Sequence, residues 1–211
     1  MKDKIIDLRN TPLVAVSSIR SPKYAARDFK GILILNGEIV LRTEKLSHDI
    51  QEEYKGKQLV LLGVLDGSVH FIKDLSEGIG LSLQRTFIKV SSYKQGTVGG
   101  DLELLLTPMV NLDGKDVLIV EDIVDSGRTL RFIINKLTNS FKPNSIKSCA
   151  LLDKVERRLP GFEDVKADYT GFIIPDEFVV GYGLDYADNY RGYKHIAILK
   201  PEIFSENNSD K

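Results

Sequence analysis

The sequence predicts an α/β fold in which helices flank a central parallel sheet and a small β-rich hood covers one edge. In the first two thirds of the chain, apolar runs of strand length alternate with helical spacings, which is the order of a parallel sheet with helical connections. The last third carries short β-like runs instead. The chain has 211 residues, of which 42% are hydrophobic, so it can build one full-sized domain with a small appendage.

The predicted elements of the first half begin with an arm, residues 1–30, whose weak periodicity predicts only an irregular cover. The next long element is a helix over residues 36–54, which carries Ile39 and Leu46 on one face and ends at Gly56. The other elements up to residue 112 are strands over 31–35, 59–64 and 85–90, a helix through 71–79, and a glycine-containing irregular segment over 91–112.

The second half continues the alternation and then changes character. Its predicted elements are a strand over 117–120, a helix over 129–137, a strand over 145–152, a charged segment over 153–168 and three short β-like runs within 169–199. We therefore expect four parts in one structural unit, namely an arm over 1–30, a core over 31–152, a hood over 153–199 and a tail over 200–211.

Composition limits the partners and the compartment. The 29 Lys and Arg residues nearly balance 30 Asp and Glu, so the net charge of −1 offers no general field for nucleic acid or a membrane surface. Cys149 is the only cysteine and cannot form an internal disulfide. No stretch approaches the roughly 18 uninterrupted apolar residues of a membrane span. We expect a cytoplasmic protein with small-molecule partners, without nucleic acid or membrane.

The segment DVLIVEDIVDSGRTL, residues 116–130, carries the strongest functional signal. Its apolar run ends in Glu121 and Asp122, and Asp125 follows before a glycine-containing turn and a helix. Ligands of open α/β sheets bind at the carboxyl ends of strands, and a helix start offers unpaired N–H groups to a phosphate. Ionised carboxylates accept hydrogen bonds from hydroxyl groups. The segment predicts a site for a phosphorylated sugar, and a core strand followed by a capped helix is the alternative.

This segment resembles the type I phosphoribosyltransferases, whose signature is an apolar strand, two acidic residues and D-[ST]-G-x-T. The signature implies binding of phosphoribosyl diphosphate (PRPP), with Glu121 and Asp122 orienting the ribose hydroxyls. It implies that Asp125 is the general base, a role that such a residue could share with capping of the helix. The other residues expected to bind the ribose phosphate are Ser126, Gly127, Arg128 and Thr129.

Two runs in the hood narrow the resemblance to the hypoxanthine-guanine phosphoribosyltransferases, with a leaning towards the animal enzymes. These runs are IIPDEFVVGYGLDY at 173–186 and NYRGYKHIAIL at 189–199. With SPKYAARDF, NGEIVLRTEKLSHDI, GVLDGSVHFIKDL and VSSYK, the resemblance covers roughly residues 21–199. It implies a core that holds PRPP and a hood that holds the acceptor base.

For the base, the resemblance implies that the ring of Phe178 stacks on a purine and that the backbone of Val179 meets the purine edge. Lys154 would donate to the oxygen of a 6-oxopurine and so select against adenine. By composition alone, Phe178 could equally be an ordinary core residue and Lys154 a solvated lysine. Asp185, also expected near the base, would hold Mg²⁺ together with Glu121 and Asp122.

For the diphosphate, the resemblance implies a loop in which the first peptide bond is often cis, together with Arg191 as a planar grip on two oxygens. Asp66 stands where the animal enzymes commonly carry a lysine, which removes a positive charge beside the leaving group. Ser92 and Tyr93 match a mobile lid, although the following KQGTVGGDLELL departs from familiar lid sequences. The loop residues are Leu65, Asp66, Gly67 and Ser68.

The sequence therefore predicts transfer of the 5-phosphoribosyl group from PRPP to hypoxanthine or guanine. Two alternatives remain, a PRPP-sensing or nucleotide-sensing regulator on the same fold and a transferase for xanthine. Family resemblance implies a homodimer or homotetramer. The sequence does not rank hypoxanthine, guanine and xanthine against one another.

Overall fold

A computed structural model describes residues 4–92 and 102–205. These residues contain ten strands and five helices, together with two short 3₁₀ turns at Val16–Ser18 and Val155–Arg157. In chain order they are β1 (Ile6–Asp7), α1 (Lys23–Asp28), β2 (Phe29–Ile34), α2 (Asn36–Tyr54), β3 (Leu59–Leu65), α3 (Val69–Gly78), β4 (Leu83–Ser92), β5 (Leu102–Leu106), β6 (Asp116–Val124), α4 (Arg128–Ser140), β7 (Ser145–Asp153), β8 (Tyr169–Ile173), β9 (Val179–Val180), β10 (Ile196–Leu199) and α5 (Pro201–Ser205).

Two sheets organise the chain. The large sheet has the order β1-β8-β7-β6-β3-β4-β5, and its pairs are parallel except for the antiparallel pair of β4 and β5. The small sheet has the order β2-β10-β9, and both of its pairs are antiparallel. This arrangement confirms the predicted α/β class with a central, mostly parallel sheet and a smaller β-rich part.

The central strands are buried on both faces, because helices cover both sides of the large sheet. Leu61 of β3 belongs to one core cluster with Ile39 of α2 and Phe71 of α3. The next residue of the strand, Leu62, belongs to a second cluster with Leu130 of α4. Side chains alternate across a strand, so one continuous apolar run supplies both clusters.

The long helices agree closely with the predictions, whereas the two ends of the chain differ. The helix predicted over 36–54 is α2, and the chain leaves it through Gly56, whose φ is +76°. The arm was predicted to be irregular, but it contains α1 and the short edge strand β1, which pairs with β8. No periodicity marks such short elements, and the partner of β1 lies more than 100 residues away in the sequence.

Two strands lie in a different sheet from the one that their position in the sequence predicts. The strand predicted over 31–35 was grouped with the core, but β2 pairs with β10 in the small sheet. The first β-like run of the predicted hood, β8, instead extends the large sheet beside β7. The segment 91–112 was predicted to be largely irregular, but its residues 102–106 form β5 against β4. Among the described residues, no helix has both the length and the apolar character needed to cross a membrane.

Candidate active site

Two adjoining cavities lie at the carboxyl ends of the parallel strands, where ligands of open α/β sheets bind. The first has a volume of about 370 Å³ and the second about 490 Å³. Four residues line both cavities: Ile123, Asp125, Leu184 and Asp185. The predicted residues in the first cavity are Leu65, Asp66, Gly67, Glu121, Asp122, Asp125, Ser126, Gly127, Thr129, Asp185 and Arg191. Those in the second are Asp125, Lys154, Phe178, Val179 and Asp185.

The acidic pair projects from a strand rather than from the loop after it. The strand β6 was predicted to end at residue 120 but continues to Val124, so Glu121 and Asp122 are held by the sheet. Gly127 then takes a φ of +85°, which a residue with a side chain rarely adopts, and α4 begins at the next residue. The backbone N–H of Arg128 donates to the Ser126 hydroxyl over 3.4 Å.

Burial makes both members of the acidic pair hard to ionise. Burial, with a smaller contribution from the neighbouring Asp122 charge, raises the pKa of Glu121 well above its usual range. Burial also raises the pKa of Asp122 to about 6, although the backbone N–H of Ile123, which donates over 2.9 Å, opposes the shift. The guanidinium of Arg191 lowers the pKa of Asp122 as well, but its effect is smaller.

Asp125 lies between the two cavities beside an arginine that the sequence analysis did not single out. Arg157 Nε is 2.9 Å from Asp125 Oδ1, which makes an ion pair without the alignment of a hydrogen bond to that oxygen. The same guanidinium reaches Asp176 Oδ1 over 3.0 Å. Arg157 therefore joins a carboxylate at the end of the core sheet to one in the hood.

The backbone around Asp125 is fixed by a second arginine, Arg158, which is almost fully buried. Its Nη1 donates to the carbonyl oxygens of Val124, Asp125 and Lys154. Its Nη2 pairs with Asp153 Oδ1 at 2.5 Å. One side chain thus donates to three carbonyls where β6 and β7 end, and it links the two strand ends.

The predicted diphosphate loop follows β3 and makes close backbone contacts. The Leu65–Asp66 peptide is cis, as the resemblance implies. A Cβ built on Gly67 would lie 1.7 Å from Asp122 Oδ2, so any side chain there would displace the Asp122 carboxylate. Asp66 Oδ2 is 2.6 Å from Lys89 Nζ, so β4 supplies a cation beside the position where the animal enzymes carry a lysine.

The loop before β10 packs directly on the diphosphate loop. Gly183 has a φ of +102°, and a Cβ at this position would lie 2.1 Å from the carbonyl oxygen of Gly67. Arg191 Nη1 donates to the Gly183 carbonyl over 2.9 Å, and its Nη2 lies 2.9 Å from Asp185 Oδ1. Gly183 and Asp185, in the same loop, therefore hold Arg191 at the rim of the first cavity.

The second cavity combines aromatic rings with a buried cation. Phe178 meets Tyr186 edge to face, with ring centroids 5.6 Å apart, and stacks on Phe204, with centroids 5.1 Å apart and planes 23° apart. Lys154 is almost fully buried, and burial lowers the pKa of its ammonium group while the Asp125 carboxylate opposes the shift. An apolar shelf and a hydrogen-bond donor therefore border one space that is large enough for a flat heterocycle.

The carboxylates of the first cavity are the oxygen ligands that magnesium prefers. Among residues 4–92 and 102–205, no three His, Cys, Asp or Glu side chains are placed to hold a metal by themselves. Magnesium usually binds one or two carboxylates and completes its shell with waters and substrate phosphates. Asp185, Glu121 and Asp122 all line the first cavity, so the donor set suits magnesium that arrives with a diphosphate.

Some predicted site residues lie elsewhere. Ser68 is fully buried, and its hydroxyl has no hydrogen-bond partner within the described part of the chain. Ser68 and Arg128 line neither cavity. Ser92 ends β4, and Tyr93 lies outside the described residues, so the predicted lid stays a prediction.

The sequence analysis missed several residues that line the cavities or contact residues there. Arg157 is one of several charged residues after Lys154, and nothing in the sequence distinguishes it. Phe204 had a usable signal, because Ile203 and Phe204 form an apolar pair in an otherwise polar tail. The missed residues that line a cavity are Val64, Val90, Ile123, Val124, Leu130, Arg157, Asp176, Glu177, Leu184 and Phe204, and those that contact a residue there are Lys89 and Tyr186.

Comparison with known proteins agrees with the geometry. The family model described as "Phosphoribosyl transferase domain" matches residues 34–187. A hypoxanthine-guanine phosphoribosyltransferase of Streptococcus agalactiae is 42% identical over 183 residues, which cover 85% of this chain and 98% of the relative. The bifunctional protein TilS/HprT of Listeria innocua is 43% identical over 180 residues, and the chain spans only 27% of its length.

Solved structures show the same similarity. A hypoxanthine phosphoribosyltransferase of Staphylococcus aureus superposes with a TM-score of 0.81 at 39% identity, covering 88% of this chain and 99% of that one. A Trypanosoma cruzi structure of a hypoxanthine phosphoribosyl transferase has a TM-score of 0.80 at 36% identity, covering 90% and 100%. The sequence resemblance favoured the animal enzymes, whereas the relatives named here come from bacteria and Trypanosoma cruzi.

Proposed function

Because the chain belongs to the phosphoribosyltransferase family, we propose that it transfers the 5-phosphoribosyl group of PRPP to hypoxanthine or guanine, releasing diphosphate and IMP or GMP. The observation that carries the proposal is the pair of adjoining cavities. One is lined by the acidic strand end and the glycine turn, the other by an aromatic shelf and a buried lysine, and Asp125 borders both. Two substrates held in these cavities would meet at that carboxylate.

In the first cavity, the ribose phosphate binds where β6 meets α4. The side-chain oxygens of Glu121 and Asp122 accept hydrogen bonds from the ribose hydroxyls. The turn through Ser126, Gly127 and Thr129 receives the 5-phosphate with backbone N–H groups at the start of α4. Asp185, Glu121 and Asp122 would hold Mg²⁺, which when bound neutralises charge on the diphosphate.

In the second cavity, the base lies against the Phe178 ring with its edge towards the backbone of Val179. The Lys154 ammonium group donates to the 6-oxo group of hypoxanthine or guanine. Adenine presents an amino donor at the same position, so a lysine there disfavours it. Selection rests on this donor because rings alone accept any flat base.

At the junction, a nitrogen of the imidazole ring forms a bond to the anomeric carbon while the bond from that carbon to the diphosphate breaks. The Asp125 carboxylate accepts the proton of the neighbouring ring nitrogen. Arg191 and the N–H groups of the loop at Asp66 and Gly67 stabilise the departing diphosphate, and Lys89 adds a cation beside Asp66. The transition state has oxocarbenium character. Its positive charge develops on the ribose, beside the carboxylates, and negative charge develops on the departing diphosphate, beside the cations.

The test is a base panel with the purified chain, Mg²⁺ and PRPP. Nucleotide formation is followed by absorbance with hypoxanthine, guanine, xanthine and adenine in turn. We expect turnover with hypoxanthine and guanine and little with adenine. Turnover with no base would contradict the proposal in favour of a non-catalytic sensor of PRPP, and xanthine as the single substrate would correct its specificity.

A further inference from the structure

The C-terminal helix α5 brings an aromatic ring into the second cavity. Phe204 stacks on Phe178 with ring centroids 5.1 Å apart and planes 23° apart, and both rings line the cavity. The family model ends at residue 187, so Phe204 lies outside it. An offset stack at this separation is a favourable arrangement of two aromatic rings. The ring expected to contact the base is therefore half of a pair.

Hydrogen bonds fix α5 in this position. The backbone N–H of Leu199 donates to the Phe178 carbonyl over 2.8 Å. The strand before the helix, β10, is thus hydrogen-bonded to the residue on which Phe204 stacks. The backbone N–H of Lys200 donates to the Asp28 carbonyl over 2.9 Å, and its ammonium group donates to the Arg27 carbonyl over 2.6 Å. The residue just before α5 is thus attached to the C-terminal turn of α1.

Both Ile203 and Phe204 of α5 pack on the small core formed by the arm and the small sheet. Ile203 belongs to the same hydrophobic cluster as Phe204, but it does not line the second cavity. The two neighbours therefore separate two effects of this helix. Ile203 contributes to the docking of α5, whereas Phe204 contributes to docking and to the cavity wall.

We propose that Phe204 is a base-binding residue, which forms the aromatic wall of the acceptor site jointly with Phe178. The proposal rests on the proposed function, because it assigns the second cavity to the purine. A purine in this cavity meets rings from two separate segments, and Phe204 holds Phe178 in the orientation that the base requires. Removal of the ring therefore weakens binding of the base and leaves PRPP, which occupies the first cavity, unaffected.

The experiment compares Phe204→Ala, Phe204→Tyr and Ile203→Ala with the wild-type chain. KM for hypoxanthine and KM for PRPP are measured separately, and thermal unfolding checks that each variant folds. We expect Phe204→Ala to raise KM for hypoxanthine about tenfold, from the loss of one stacked aromatic contact, with KM for PRPP within about twofold. Phe204→Tyr retains the ring and should stay near the wild type.

Three results would overturn the assignment. KM for the base could be unchanged in an active Phe204→Ala protein. It could fall, which would mean that the ring competes with the base. It could rise equally in Ile203→Ala, which would assign the effect to helix docking. A wild-type chain that uses no 6-oxopurine would instead overturn the proposed function itself, so the two failures are distinguishable.

Discussion

The two cavities are built in opposite ways. The first is made mainly from consecutive residues at the ends of β3 and β6, which the large sheet holds in a parallel register, and the loop before β10 adds Leu184, Asp185 and Arg191. The second is made from separate segments that lie around residues 123, 154, 178, 184 and 204. Its walls are brought together by the small sheet, by α1 and by α5. The first cavity is therefore set mainly by local sequence, and the second by long-range packing.

This difference predicts that a substitution in one cavity will affect the binding of one substrate and not of the other. Changes at the ends of β3 and β6 should affect PRPP, and changes around Phe178 should affect the base. Asp125 belongs to both cavities, so it is the position where the separation should fail.

The largest effect is expected at Asp125. Asp125→Asn keeps the shape of the side chain but removes the proton acceptor, so kcat should fall about a thousandfold. Binding of PRPP, measured by equilibrium dialysis, should stay within a few fold of the wild type. Near-normal kcat would remove Asp125 as the general base. A matched loss of PRPP binding would place its main role in the first cavity.

The next effect is expected at Lys154. Lys154→Met keeps most of the buried stem but removes the donor, and a hydrogen bond from a charged group is worth about ten- to a hundredfold in binding. We expect kcat/KM for hypoxanthine to fall by that factor, and discrimination against adenine to shrink. Lys147→Met, a change on β7, the strand that ends one residue before Lys154, lies outside both cavities and is the control. Equal effects of the two substitutions would contradict the specificity role.

How much the sequence could reveal follows the same division. The site residues from Glu121 to Thr129 could be predicted from the sequence, because a strand, a turn and a helix that are adjacent in the chain determine their positions. Phe204 and Arg157 could not be placed in this way, since their roles depend on partners 26 and 32 residues away. The edge strand β1 pairs with β8 across most of the chain, so its residues carry no local sign of that contact. Long-range pairing is decided by packing, which leaves little trace in local periodicity.

A third prediction concerns pH and belongs to the first cavity alone. The pKa of Asp122 is raised to about 6, so this carboxylate is ionised above that pH and protonated below it. Only the ionised group is purely an acceptor for the ribose hydroxyls. KM for PRPP should therefore rise as pH falls through about 6, while KM for hypoxanthine changes little.

Asp122→Asn is the control for this pH dependence. It removes the titrating group, so KM for PRPP should be high at every pH and lose its step near 6. Glu121, whose pKa is also raised by burial, remains in this variant. A step that persists unchanged in Asp122→Asn would show that Asp122 is not the group that titrates.

The smallest effect is expected at Arg157, which bridges the two regions. Its side chain is 54% exposed, and an ion pair as exposed as this one contributes about 0–1 kcal/mol. Arg157→Ala should therefore lower kcat by no more than about fivefold and the free energy of unfolding by no more than about 1 kcal/mol. Arg131→Ala, which removes the exposed ion pair with Asp164 away from both cavities, is the matched control. If Arg157→Ala instead lowered kcat as far as Asp125→Asn, the base would depend on an arginine supplied by the second region. Long-range packing would then determine the position of the catalytic carboxylate as well. The contrast between a cavity built from local sequence and one built from distant segments would not apply to the residue that takes part in the reaction.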